Sequence, residues 1–113
     1  MADVVYVNEE DGKKRVMNNG KLYARLLTKF KDGTNLDNLI NSINAEDWEN
    51  AKSQAHTIKG LAANLSLTEL YNQSLDLESQ AKEGAVDPGS LEKIKLCFQE
   101  TLTEIDKVIA RNV

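Results

Sequence analysis

Residues 45–65 read AEDWENAKSQAHTIKGLAANL, and this stretch decides the fold. A helix advances by about 100° per residue, so side chains spaced three and four apart share one side of it. The apolar residues of the stretch follow that spacing: Trp48, Ala51, Ala55, Ile58, Ala62 and Leu65. The pattern predicts one long amphipathic helix with a continuous buried seam.

Similar patterns predict further helices on both sides of this one. Before it, Asn19 caps a helix that ends at Asp32–Gly33, and a shorter helix starts at Thr34 or Asn35. After it, Gly84 stops one helix and Asp87–Pro88 starts the last, because proline is tolerated at the first helical position. The inner stripe of the helix before Gly84 comprises Leu67, Leu70, Ser74, Leu77 and Ala81. That of the last helix comprises Leu91, Ile94, Phe98, Leu102, Ile105 and Ile109.

Two helix starts are predicted from capping residues. Asn44 precedes the central helix, with Glu46 and Asp47 placed favourably in its positive first turn. Ser66 and Glu69 have the spacing of a capping box, in which the serine caps the next helix and the glutamate reaches back.

The fold class that follows is all-α. The chain has one proline, and neither an internal repeat nor a linker divides its 113 residues. Short connections favour antiparallel neighbours, which predicts an up-and-down four-helix bundle with short additional N-terminal helical segments. We expect a single domain over 1–113, with the bundle core at about 20–111. The opening residues 4–7 are either an arm packed on the bundle or the start of a first helix.

Composition excludes several classes of protein. The net charge of −4 lacks the basic footprint that nucleic acids and anionic membranes require. No apolar run approaches a membrane span, and the N-terminus lacks the features of a signal peptide. The single cysteine, Cys97, forms no internal disulfide and lies in an apolar helical pattern, so we expect it to be buried. These features favour a cytoplasmic protein without a metal site.

The only histidine, His56, lies outside the buried seam. On the helical wheel it shares a stripe with Lys59, Gly60 and Ala63, centred roughly 120° from the seam. An ordinary solvated histidine is the competing interpretation. Gly60 argues against it, since glycine costs about 1 kcal/mol relative to alanine inside a helix. A missing side chain beside an exposed imidazole lets the active site of another protein approach.

Hairpin geometry nominates Glu78 as a partner of His56. The turn near Ser66 lies ten residues after the histidine, and an antiparallel helix brings residues ten to twelve beyond the turn to the same height. The carboxylate of Glu78 is then able to accept a hydrogen bond from one imidazole nitrogen, leaving the other as a nucleophile. The alternative for Glu78 is a solvated surface acid.

Two lysines accompany the histidine on its stripe. Lys59 would offset the charge of a phosphate group, or it is an ordinary solubilising residue. Lys52, one turn before His56, would assist the phosphate or meet the acidic rim of a partner.

The sequence AHTIKG at 55–60, the later NLSL at 64–67 and the pair Leu77–Glu78 resemble the histidine-containing phosphotransfer (HPt) domain family. The pairs Leu22–Tyr23 and Leu26–Leu27, with Phe30, also resemble the first bundle helix of the family, so the resemblance covers essentially the whole chain. Ile58 replaces the usual leucine, and Ser66 and Ala63 stand where glycine is frequent. None of these departures removes the nucleophile.

The resemblance implies a phosphoryl carrier. His56 would accept a phosphoryl group from the aspartyl phosphate of one receiver domain and pass it to another, in a relay that includes a hybrid sensor histidine kinase. Lys59 would position the phosphate, Glu78 would orient the imidazole, and Lys52, Gly60 and Ala63 would meet the partner. Mg²⁺ is expected in the receiver and no cofactor in this chain, which we expect to be a monomer and not an ATP-using enzyme.

Two other functions compete with the carrier. A helical module that docks a receiver without being phosphorylated would use the same surface, with His56 incidental. A phosphatase acting on receivers would need an acid–base constellation, and the sequence shows none.

Overall fold

A computed structural model describes residues 4–112 and contains six helices and no strand in that range. In chain order they are α1 (Glu9–Lys14), α2 (Gly20–Gly33), α3 (Asp37–Asn44), α4 (Trp48–Leu65), α5 (Thr68–Lys82) and α6 (Pro88–Asn112). The all-α prediction is confirmed. Residues 1–3 and 113 of the expected domain lie outside the described residues. None of the six helices is long and apolar enough to cross a membrane.

Helices α2, α4, α5 and α6 form the bundle, while α3 packs on α4 and α1 on α2. Neighbours run antiparallel: the start of α2 lies beside the end of α6, and α4 meets α5 through the two-residue connection 66–67. The seam predicted for α4 is buried at Ala51, Ala55, Ile58, Ala62 and Leu65, with Trp48 half-buried. Cys97 is buried in α6, as predicted, and burial raises the pKa of its thiol to about 11.

Several of the side chains buried on α4 and α5, two helices in contact, are small. Ala55 and Ala62 on α4 are fully buried, as is Ser74 on α5, with Ala81 nearly so. Interaxial distance depends on the side chains at the contact, so small residues allow two helices to pack closely. This close packing brings polar side chains at the edges of α4 and α5 within reach of one another.

The predicted starts of α3 and α4 are wrong by two or three residues. Asn44 is the last residue of α3, and α4 is capped instead by Asp47, whose Oδ1 accepts from the backbone N–H of Asn50 at 3.2 Å. Between them the chain reverses at Glu46, which has a φ of 55°. The reversal separates Asn44 from α4, so Asp47 becomes the cap. Helix α3 begins at Asp37, whose N–H donates to the Asn35 side chain.

The predicted capping box at Ser66 and Glu69 is also wrong. Ser66 ends α4 in the left-handed conformation, with a φ of 59°, and Leu67 precedes α5 without a side-chain cap. The Ser66 hydroxyl donates to Asp11 Oδ2 at 2.6 Å, and the backbone N–H of Glu69 donates to the carbonyl of Val5 at 3.0 Å. The N-terminal segment therefore supplies the contacts that a capping box would have made locally.

Residues 4–8 form an arm that leads into α1, which settles the ambiguous start of the chain. The arm and α1 cover the connection between α4 and α5, where the Asn8 N–H donates to the Ser66 carbonyl at 2.9 Å. Gly12 lies against the ring of Tyr23, and a Cβ at this glycine would fall 2.3 Å from ring atoms. Only glycine permits that approach.

Glu9 fastens α1 to the end of α6. Its carboxylate accepts hydrogen bonds from Asn112 at 2.9 Å and from Arg111 at 2.7 Å. These bonds lower the pKa of Glu9 to about 2. Helix α1 is thus joined to the last turn of α6.

The hydroxyl of buried Tyr23 donates to the carbonyl of Leu65 at 2.6 Å, at the last residue of α4. We expect Tyr23→Phe to lower the free energy of unfolding by about 1–2 kcal/mol, because it leaves a buried carbonyl without its donor. Urea unfolding of both proteins measures the difference. The matched control is Tyr71→Phe, since the half-buried Tyr71 hydroxyl has no hydrogen-bond partner within residues 4–112. Equal losses in the two variants would contradict a role for this bond.

Candidate functional site

His56 lies on the outer side of α4, as the helical wheel predicts. Its side chain is 68% exposed, whereas Ala55 and Ile58 on either side of it in the helix are buried. The histidine is therefore not a packed core residue, and its ring is accessible to another protein.

Glu78 reaches His56 from α5 and holds Lys59 at the same time. Oε2 of the glutamate lies 2.7 Å from Nδ1 of His56, and Oε1 lies 2.6 Å from Nζ of Lys59. The glutamate side chain is only 20% exposed. One carboxylate thus joins both residues of α4 across the hairpin, and each of its oxygens has a different partner.

The charge of Glu78 favours one tautomer of His56. The ammonium of Lys59, with a smaller contribution from His56, holds the pKa of Glu78 below its usual value against the opposing effect of burial. An ionised carboxylate only accepts hydrogen bonds, so Nδ1 must donate. The contact therefore favours the neutral tautomer that has its proton on Nδ1 and its lone pair on Nε2.

Gly60 lies on the same outer face without any packing role of its own. Apart from its chain neighbours and its own helix backbone, a Cβ placed at this glycine meets no atom of residues 4–112 within 4 Å, so no neighbour in that range requires the missing side chain. Its effect is to leave the surface beside His56 flat.

Within residues 4–112, the side chains of the remaining predicted residues form no hydrogen bond or ion pair with His56. Lys52 is exposed one turn before the histidine, and none of the ion pairs in residues 4–112 includes it. Ala63 is half-buried and lines a depression of about 290 Å³ shared with Arg15 and Tyr71. The structure thus brings together His56, Lys59 and Glu78, and leaves Lys52 and Ala63 at the margins of the face.

The sequence did not predict a groove between α2 and α4. It has a volume of about 560 Å³ and is lined mainly by apolar side chains: Leu26, Phe30, Leu61 and Leu65, with Lys29, Gly33, Thr34 and Asn64. Leu61 follows Gly60 directly and is 36% exposed. In the sequence, the groove is indicated only by Leu61, an apolar residue that does not follow the spacing of the buried seam.

The arrangement suits a nucleophile and offers no metal site. An exposed imidazole with a lone pair on Nε2 can attack an electrophile, and a lysine one turn away can balance negative charge. Within residues 4–112, no group of three or more His, Cys, Asp or Glu side chains is placed to hold a metal ion.

Comparison with known families identifies the chain. The model of the Hpt domain matches residues 25–108, which is well over half of the chain and includes His56, Lys59 and Glu78. No curated protein and no solved structure matches the chain. The chain belongs to the Hpt domain family, the phosphotransfer modules of two-component systems.

Proposed function

We propose that this chain carries a phosphoryl group on Nε2 of His56, accepting it from the aspartyl phosphate of one receiver domain and passing it to another. The hydrogen bond between His56 and Glu78 carries the proposal, because it leaves the outward nitrogen of an exposed ring unprotonated. Phosphoryl transfer depends mainly on positioning and charge compensation, and both are available on this face.

Lys59 is proposed to position the phosphate. Its ammonium has three N–H donors, and one of them is directed at Glu78. The other donors are available to phosphate oxygens one turn from His56, where they would offset part of the added negative charge. Its ion pair with Glu78 also holds the lysine on this face when no phosphate is present.

The donor is proposed to be a receiver domain phosphorylated by a hybrid sensor histidine kinase, and not ATP. The Mg²⁺ that phosphoryl transfer requires is assigned to the receiver. This chain contributes the nucleophile, the cation and a docking surface, and we propose that it works as a monomer in the cytoplasm.

The docking surface is proposed to centre on Gly60, with Lys52 and Ala63 at its margins. The apolar groove between α2 and α4 begins beside this glycine, at Leu61. We propose that a partner seated in the groove extends across Gly60, which has no side chain, and so reaches the ring of His56.

We expect His56→Gln to abolish phosphoryl transfer to the chain. A receiver domain labelled on its aspartate with radioactive phosphate is mixed with the protein, and acid-labile, alkali-stable label on the chain is measured. The control is Thr57→Ala, which removes the adjacent exposed hydroxyl and keeps the histidine. Label that survives His56→Gln contradicts the proposal. A receiver that binds the chain without labelling it would instead support the docking module that is never phosphorylated.

We expect Gly60→Leu to weaken receiver binding on the order of tenfold, since a side chain forced into a close contact costs about 1–3 kcal/mol. The helix itself should not suffer, because leucine has a higher helix propensity than glycine. Titration calorimetry measures binding, and circular dichroism measures helicity. The control is Lys93→Leu, which adds the same side chain at an exposed position of α6. Unchanged affinity for Gly60→Leu would show that the flat surface is not needed.

A further inference from the structure

We propose that Glu78 acts again after phosphorylation: it retains the proton on Nδ1 of phosphorylated His56 and so keeps the P–N bond easy to break. This inference rests on the proposed carrier function. In this proposal, the carboxylate of Glu78 controls how fast the phosphorylated chain gives up its phosphoryl group.

The proton is already in place before the reaction. Glu78 Oε2 lies 2.7 Å from Nδ1, while its other oxygen lies 2.6 Å from the Lys59 ammonium. Glu78 contacts the ring at Nδ1, whereas the phosphoryl group is added at the other ring nitrogen, so the addition does not displace this hydrogen bond. The same hydrogen bond can therefore persist through the reaction.

The ring becomes a cation when it is phosphorylated. The lone pair of Nε2 forms the P–N bond, the bond from phosphorus to the donor aspartate oxygen breaks, and its electron pair leaves with the donor carboxylate. Both ring nitrogens are then substituted, one by phosphorus and one by the original proton. The resulting positive charge lies directly against the negative charge of Glu78, which stabilises it.

Onward transfer returns the ring to its starting state. A carboxylate oxygen of the acceptor aspartate forms a bond to phosphorus, the P–N bond breaks, and its electron pair returns to Nε2. The leaving group is a neutral imidazole as long as the proton has stayed on Nδ1. If that proton were lost, the leaving group would be an imidazolate anion, which leaves far less readily.

Lys59 keeps Glu78 from taking the proton, because its ammonium stabilises the ionised carboxylate. The other charged groups along this edge include two lysines and, two turns before His56 on α4, Glu49. Lys52 lies one turn before His56 on α4, and the hairpin register that pairs His56 with Glu78 places Lys82 of α5 opposite it. Within residues 4–112, helices α2, α3 and α6 provide no hydrogen bond or ion pair to His56 or Glu78.

The test follows loss of label from the phosphorylated full chain between pH 6 and pH 9. The chain is labelled by a radioactive phospho-receiver and separated from it, and phosphoramidate serves for a variant that accepts slowly. We compare wild type, Glu78→Gln and Glu78→Asp with Glu83→Gln. The last is a matched control, because Glu83 is an exposed acid at the end of α5 and its substitution changes the net charge equally.

We expect the wild-type rate of phosphate release to stay nearly constant from neutral to mildly alkaline pH. The Glu78→Gln rate should begin to fall at a lower pH and be about tenfold slower at pH 8, the effect of removing one charge in direct contact. Glu78→Asp should restore much of the wild-type profile, and Glu83→Gln should match it.

The outcomes separate this inference from the proposed function. If wild type takes label on His56 and Glu78→Gln releases it with the wild-type pH profile, the role of Glu78 after phosphorylation is overturned while the carrier function stands. If wild type takes no label from any phospho-receiver, the carrier function fails and this inference fails with it.

Discussion

The carboxylate of Glu78, bonded to His56 and Lys59 across one helical hairpin, is the interaction on which the site depends. It contacts Nδ1 of the imidazole and pairs with the Lys59 ammonium, and we propose that it thereby sets the tautomer of the ring. The two helices that carry it, α4 and α5, are packed against each other, and both bury small residues such as Ala55, Ala62 and Ser74. Larger side chains at these positions would increase the distance that the glutamate has to span.

The end of the hairpin is held by residues distant in the chain. Ser66 has a left-handed backbone, which costs a residue other than glycine of the order of 1 kcal/mol. Three contacts compensate: Asp11 accepts from the Ser66 hydroxyl, Asn8 donates to its carbonyl, and Tyr23 donates to the carbonyl of Leu65. The N-terminal segment therefore fixes the connection from which the register of α4 and α5 follows.

Most of the site was predictable because it depends on local periodicity and on one short connection. The apolar spacing from Trp48 to Leu65 placed His56 outside the core, and counting residues through the hairpin selected Glu78. The ion pair between Lys59 and Glu78 was not predicted, since the sequence indicated only a lysine on the same stripe. The family match supports the fold and the class of protein, whereas the roles of the individual residues remain proposals.

The remaining features depend on contacts that local patterns do not encode. Ser66 and Glu69 have the spacing of a capping box, yet Asp11, 55 residues earlier in the chain, binds the serine hydroxyl. The groove beside Leu61 likewise needs the packing of α2 against α4, which no stretch of either helix reveals alone. Asn44 and Asp47 are both acceptable caps, and the reversal at Glu46 decides between them.

The most direct test of the central claim is the tautomer of His56 in the unmodified protein. Nitrogen-15 NMR of the labelled chain, at a pH where the ring is neutral, distinguishes a protonated ring nitrogen from one with a lone pair. Because His56 is the only histidine, its two ring signals need no assignment among residues. We expect a proton on Nδ1 and a lone pair on Nε2 in the wild-type protein, and we expect the Glu78→Ala variant to lose this preference. A ring that carries its proton on Nε2 in the wild-type protein would contradict the central claim.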